Sequence, residues 1–265
     1  RDFVAYTDVA EVARRLLDAA SDVSGLAQLK LAYLAVDLPK ELIGRWGKKK
    51  VAVLVDEVFQ TVGLDKAGIY VKSLLNLIEY PPRSYEKIVA IAVTSEGVTR
   101  EEIGRHLWAE LRPMWNMPRE GFHQLCEKLL GPKPPFEEAW RWTGGNPRML
   151  GRLYENVWDF EEVVLQLMRE KELTAEFVRM WGRWLELAVE DTEVLWTGDV
   201  PKELVKELEA RNLIVYNMYD RRPSFWIDQP PPERDPGLGI GKNVAWHTPL
   251  HREAVRRALR EAASS

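Results

Sequence analysis

Two short runs of apolar, mostly β-branched residues constrain the fold of this 265-residue chain more than any other feature. They cover residues 51–55 and 88–93, with a helical pattern at 67–78 between them and another at 26–44 before them. Runs that are apolar on both faces are typical of buried parallel strands, and parallel strands need a crossover connection. The pattern therefore predicts an α/β domain built on a parallel sheet.

Polar side chains follow each predicted strand. Asp56 and Glu57 come directly after the first strand, and Thr94 and Ser95 come after the second. Because parallel strands present their C-terminal ends to one crevice, these groups are expected to meet there. In phosphoryl transfer one carboxylate organises Mg²⁺, another activates water, and a hydroxyl can bind that water or the terminal phosphate. Acids are also common in solvated turns, and hydroxyl residues often cap helices.

The rest of the chain predicts helices and then a mixed C-terminal region. Helical spacing dominates after residue 100, with proline-rich breaks near residues 118 and 132–135. From 173 onward the predicted order is helix, helix, strand, long loop, strand and closing helix, which is the order of a winged helix. In this region Asp199 is expected to cap one helix, and Thr248 with Pro249 is expected to begin the last one.

A glycine-rich turn between two predicted helices carries the remaining signal, Gly144-Gly145-Asn146-Pro147-Arg148. Two glycines allow close backbone approach and unusual dihedral angles. Pro147 suits the first turn of the following helix, whose N-terminus would then face a ligand. Arg148 could reach phosphate oxygens. The same residues would also suit a simple connector between two helices, with Arg148 on the protein surface.

These motifs together resemble the archaeal ATPases of the STAND group, within the AAA+-like P-loop NTPases. The resemblance covers nearly the whole chain. It implies that residues 51–57 are the Walker B strand and that Thr94 or Ser95 is sensor 1. It also implies that the turn 144–148 lies in a helical lid against the nucleotide. The expected domains are an N-terminally truncated P-loop NTPase core at 1–115, a helical lid at 116–172 and a winged helix at 173–265.

The resemblance implies ATP and Mg²⁺ as ligands, with Asp56 holding the metal and Glu57 activating water. One defining element of such ATPases is not in the sequence, the phosphate loop Gly-x-x-x-x-Gly-Lys-Ser/Thr. The segment 237–243 is the nearest string, but it has the wrong spacing and suits a wing tip better. The loop is expected upstream of residue 1, in a disordered segment or on another chain. A chain without such a loop would lack both the backbone cradle and the lysine that hold the phosphates.

Composition limits the remaining possibilities. The net charge of −4 argues against a surface coated by nucleic acid, and no apolar run is long enough to span a membrane. A single cysteine, Cys126, excludes an intrachain disulfide and fits a cytoplasmic protein.

Partner contacts are predicted from arginines. DNA contact through the winged helix would use Arg221, Arg222, Arg252 and Arg256, although the last helix can equally be a solvated face or a protein-binding surface. An arginine finger toward a neighbouring subunit has three candidates, Arg100, Arg105 and Arg112, and spacing does not choose among them. Two functions thus remain open, an ATP-dependent switch or motor and a non-catalytic DNA-binding or scaffolding regulator with a degenerate core.

Overall fold

The computed structural model of the protein describes residues 11, 14–15, 18–19, 27–56, 64–81, 83–94 and 110–264. The chain divides into two compact units, Arg1–Leu111 and Arg112–Ser265.

The first unit contains the predicted strand–helix–strand arrangement. Its elements are α1 (Ala27–Gly44), β1 (Lys50–Asp56), α2 (Leu64–Glu79) and β2 (Lys87–Val93). The two strands pair in parallel, and their register places Asp56 opposite Val93. The prediction of parallel strands joined through a helix is confirmed for this part of the chain.

The two faces of this sheet differ in burial. Alternate β1 residues beginning at Val51 turn toward a core that includes Val53 from the strand, Val36 from α1 and Leu77 from α2. The other face remains accessible to solvent, and 72% of Leu54 is exposed on it. Its other large exposed apolar side chains in the described residues are Val89, Ile91 and Val93. Strands that are apolar on both sides predict cover on both faces of the sheet. Among the described elements, α1 and α2 cover one face.

The second unit is mainly helical, with a small antiparallel sheet near its C-terminus. Its helices are α3 (Arg119–Lys128), α4 (Phe136–Thr143), α5 (Pro147–Glu155), α6 (Phe160–Glu170), α7 (Ala175–Glu190), α8 (Lys202–Ala210) and α9 (Pro249–Ala263). Its strands are β3 (Ile214–Val215) and β4 (Ala245–Trp246), which pair antiparallel.

Side-chain caps fix the starts of four of these helices. Asn146, Asp159, Thr174 and Thr248 each accept a hydrogen bond from a backbone N–H in the first turn that follows. The expected start at Thr248 and Pro249 is therefore confirmed. The expected cap at Asp199 is wrong, because α8 begins two residues later, after Pro201, with no side-chain cap.

One core continues from α5 to α9. It includes Leu153, Leu167, Leu185, Leu204 and Val255, all nearly inaccessible to solvent. Trp246 is completely buried in this core, and its indole N–H donates to the Ala188 carbonyl oxygen at 3.2 Å. From α7 to α9 the order is helix, helix, strand, long connection, strand and helix, as the sequence predicted. The winged-helix assignment, and the separation of this region from the lid, stay predictions.

None of the helices in the described ranges is both long and apolar enough to cross a bilayer.

Candidate functional site

The ends of β1 and β2 bring together two of the predicted site residues. Because Asp56 pairs in register with Val93, Thr94 follows one position beyond it on the neighbouring strand. Adjacent strands lie about 4.8 Å apart, so the carboxylate and the hydroxyl residue occupy the same edge of the sheet. Asp56 is exposed, and its carboxylate has no hydrogen bond or ion pair with another described residue. Glu57 and Ser95 lie outside the described residues.

An exposed carboxylate at a strand end fits a magnesium ion that is shared with phosphate. Mg²⁺ usually takes one or two protein carboxylates and completes its shell with water and phosphate oxygens. Within the described ranges, no group of three or more His, Cys, Asp or Glu side chains is arranged to hold a metal. Asp56 could supply a single carboxylate ligand to such an ion.

The turn between α4 and α5 has the backbone geometry that its glycines predicted. Gly144 ends α4 in the left-handed conformation (φ +60°) and donates its N–H to the Trp140 carbonyl oxygen at 2.8 Å. Gly145 is also left-handed (φ +83°), and Pro147 begins α5. The predicted dihedral angles and helix start are confirmed.

Close approach at this turn involves the protein's own backbone. A Cβ atom on Gly145 would lie 2.5 Å from the Met117 carbonyl oxygen and 2.9 Å from the Trp140 ring. The Met117 N–H in turn donates to the Gly145 carbonyl oxygen at 3.1 Å. Internal packing is therefore enough to require glycine at position 145.

Asn146 connects this turn to the C-terminal helix. Its side-chain oxygen accepts from the Met149 N–H at 3.0 Å, and its amide nitrogen donates to Asn116 Oδ1 at 2.8 Å. Asn116 Nδ2 then donates to the backbone carbonyl of His247 at 3.3 Å, just before α9 begins. Sequence reasoning placed Asn146 in the turn but missed its capping role, for which Asn before Pro at a helix start is the signal.

Direct packing strengthens the same connection. A Cβ atom on Gly144 would lie 3.0 Å from Pro249 Cδ, at the first residue of α9. Arg148, by contrast, is exposed, and its guanidinium has no hydrogen bond or ion pair with another described residue. Arg148 is thus available to a ligand, while the glycines and Asn146 also hold the fold together.

Two histidines and a lysine lie close to this connection. Burial lowers the pKa of His247 to about 4, and Lys171 contributes to the same direction. Burial also lowers the pKa of His251, whose Nδ1 lies 2.7 Å from Thr248 Oγ1. The pKa of Lys171 is lowered too, first by burial and then by Arg148 and Arg152. This region therefore favours neutral histidines at pH 7.

Two of the arginines predicted to contact DNA donate hydrogen bonds to backbone carbonyls of a loop. Arg221 donates to the backbone carbonyl of Gly241 at 2.9 Å. Arg252 donates to the carbonyls of Pro236 and Gly237 at 2.6 and 2.7 Å. These bonds stabilise the long connection between β3 and β4, and they engage donors that phosphate binding would need.

Arg222 and Arg256, the other two arginines predicted to contact DNA, lie beside acidic side chains and not loop carbonyls. Arg222 is exposed, with Asp220 3.6 Å away, and Arg256 forms an ion pair with Glu253. DNA contact through these four arginines stays a prediction. Of the arginine-finger candidates, Arg100 and Arg105 lie outside the described residues, and no role is assigned to Arg112.

A family model for an ATPase domain found predominantly in Archaea matches residues 1–153. The match includes β1, β2, the turn 144–148 and most of α5. No curated protein and no solved structure matches the chain.

Proposed function

Because this chain belongs to the family of ATPase domains found predominantly in Archaea, we propose that it binds ATP with Mg²⁺ and hydrolyses it as a molecular switch or motor. The supporting geometry is the shared edge at which Asp56 ends one parallel strand and Thr94 follows the other. That edge is where open α/β sheets bind ligands.

The roles proposed for the site residues follow from their chemistry. Asp56 would hold Mg²⁺, which neutralises charge on the phosphates. Glu57 would orient or deprotonate the attacking water, and Thr94 or Ser95 would hydrogen-bond that water or the terminal phosphate. The turn 144–148 would contact the nucleotide, with Arg148 as its free cationic group.

ATP turnover by the full-length protein tests these roles. Glu57→Gln should retain nucleotide binding and lower turnover by at least about 100-fold, the contribution typical of a positioned general base. Asp56→Asn should lower turnover and also raise the Mg²⁺ concentration needed for half-maximal rate. Glu79→Gln, at the far end of α2, is the matched control and should change neither. Unchanged turnover in Glu57→Gln would remove the proposed role of that residue.

The nucleotide state is proposed to reach the C-terminal region through Asn116. Its side chain joins Asn146 of the turn to the His247 carbonyl oxygen before α9. A shift of the turn on nucleotide binding would therefore move or release the start of α9, to which Gly144 also lies close. This contact supports coupling between nucleotide and the predicted winged helix.

Hydrogen exchange tests this coupling. In the full-length protein, ATP should change amide exchange over 245–263, and Asn116→Ala should reduce that change while leaving ATP affinity within about twofold. Asn156→Ala is the matched control, because Asn156 also makes two side-chain hydrogen bonds, to Arg152 and Gln166, away from the turn. Equal responses in wild type and Asn116→Ala would contradict this route.

A further inference from the structure

A cleft of about 720 Å³ lies between the loop after α3 and the helices α4 and α5. Its volume is within the range of about 300–1,000 Å³ that is usual for ligand pockets. The walls are largely aromatic: Trp142 stacks on Phe160 with ring centroids 3.7 Å apart, and Tyr154 meets Trp158 edge-on at 6.1 Å. The Trp158 indole N–H donates to the Pro132 carbonyl oxygen at 2.8 Å, which holds the loop against the helix end.

The rim of the cleft carries apolar side chains in contact with water. Leu130 is 80% exposed and Val157 is 84% exposed. Val157 also has a left-handed backbone (φ +54°), a conformation that glycine adopts easily and that a β-branched residue adopts only with strain. Valine at this position therefore adds apolar surface to the rim at the expense of local backbone stability, a pattern that is common at binding sites.

The charges around the cleft are unbalanced. Glu138 and Glu155 line it, and neither carboxylate pairs with another residue in the described part of the chain. The cation among the lining residues, Lys133, donates instead to the Cys126 carbonyl oxygen at 2.7 Å near the end of α3. A cationic ligand in the cleft would therefore meet two carboxylates without an ion-pair partner in the described part of the chain, together with aromatic side chains.

We propose that this cleft binds an apolar segment of a partner protein through an arginine or lysine side chain. The cationic stem would lie against the Tyr154 and Trp158 rings, with its charge between Glu138 and Glu155, because the Trp142 ring already lies between Phe160 and the Arg141 guanidinium. Long cationic side chains combine an apolar stem with a charged head, and cations are attracted to aromatic faces. Leu130 and Val157 would contact apolar residues on either side of the cation. The proposal is independent of ATP hydrolysis.

Isothermal titration with two peptides tests the chemistry of the occupant. The probes are acetylated, amidated Ala-Leu-Ala-Arg-Ala-Leu-Ala and the same peptide with Gln in place of Arg. We expect the arginine peptide to bind the full-length protein about tenfold more tightly, the size of effect that cation–aromatic and charge pairing together produce. Equal affinities, or no binding of either peptide, would overturn the proposal. Free spermidine binding as tightly as the arginine peptide would also overturn it, because the occupant would then be a small amine.

Three variants locate the binding. The double variant Glu138→Gln/Glu155→Gln should remove the preference for arginine, whereas Glu176→Gln on α7, outside the cleft, should leave it intact. Val157→Gly should raise the unfolding temperature, because glycine relieves the backbone strain, and should weaken peptide binding about threefold. All of these side chains are exposed, so the fold should tolerate the changes. Arginine preference that survives the double variant, or peptide affinity unchanged in Val157→Gly, would contradict the proposed site.

Discussion

Replacing Gly145 by alanine tests whether the turn between α4 and α5 depends on internal packing. The backbone is left-handed there (φ +83°), which costs an L-residue about 1–2 kcal/mol. The new Cβ would also lie 2.5 Å from the Met117 carbonyl oxygen, a backbone atom that moves only if the chain before α3 shifts. Overpacking of this kind costs about 1–3 kcal/mol. Together these terms predict a loss of about 3 kcal/mol in the free energy of unfolding.

Urea unfolding followed by tryptophan fluorescence measures this loss. Gly151→Ala is the matched control, because Gly151 lies inside α5 and a Cβ there meets nothing within 4 Å. Alanine is favoured over glycine in a helix by about 1 kcal/mol, so this variant should be slightly more stable than wild type.

Wild-type stability in Gly145→Ala would refute the packing argument, because the Met117 backbone would then yield at no cost. A loss of ATP affinity without a loss of stability would also refute the packing argument. In that case the glycine would serve the ligand rather than the fold.

Three further predictions concern stability. The pKa of His247 is about 4 in the folded protein against 6.5 unfolded, so the stability from its neutral form is complete above pH 6.5 and is lost as pH falls toward 4. From these two pKa values we expect about 1–2 kcal/mol of the free energy of unfolding to be lost between pH 7 and 5, as measured by urea unfolding. His247→Gln should weaken that dependence without abolishing it, because His251 contributes in the same direction. Trp246→Phe removes a buried indole hydrogen bond and should lower the free energy of unfolding by about 1–3 kcal/mol in the same assay. An unchanged free energy of unfolding would show that the bond does not stabilise the fold. Thr174→Ala removes the cap of α7 and should lower the free energy of unfolding by about 1 kcal/mol. Thr197→Ala, on an exposed turn, should stay within about 0.5 kcal/mol of wild type. Equal effects of the two substitutions would contradict the capping argument.

Features that depend on neighbouring residues were predictable from the sequence. The strand positions followed from two apolar runs, and the parallel pairing followed from the helix between them. The start of α9 followed from Thr248 and Pro249, because both act on the first turn that comes after them. Asp199 failed as a cap, because capping also requires the backbone to enter the helix at that residue. The chain enters α8 only after Pro201.

Features that join distant residues required the structure. Asn116 lies 30 residues from Asn146 and 131 from His247, so no local pattern connects them. The same is true of Arg221 and Arg252, whose charges indicated nucleic acid while their hydrogen bonds hold loops. A charge can be read from the sequence, but its partners depend on which backbone carbonyls the fold brings within reach.

The amino-acid sequence by itself determined the two parallel strands, the acidic and hydroxyl residues at their ends, and the glycines of the turn. Backbone preference and hydrophobic burial act over a few residues, so these features are local. Tertiary structure decided which face of the sheet the α1–α2 layer covers and which atoms require Gly145 to lack a side chain. It also decided that the aromatic residues near α4 and α5 surround a cleft. Each of these outcomes depends on close packing between segments far apart in the chain, which no short stretch of sequence specifies.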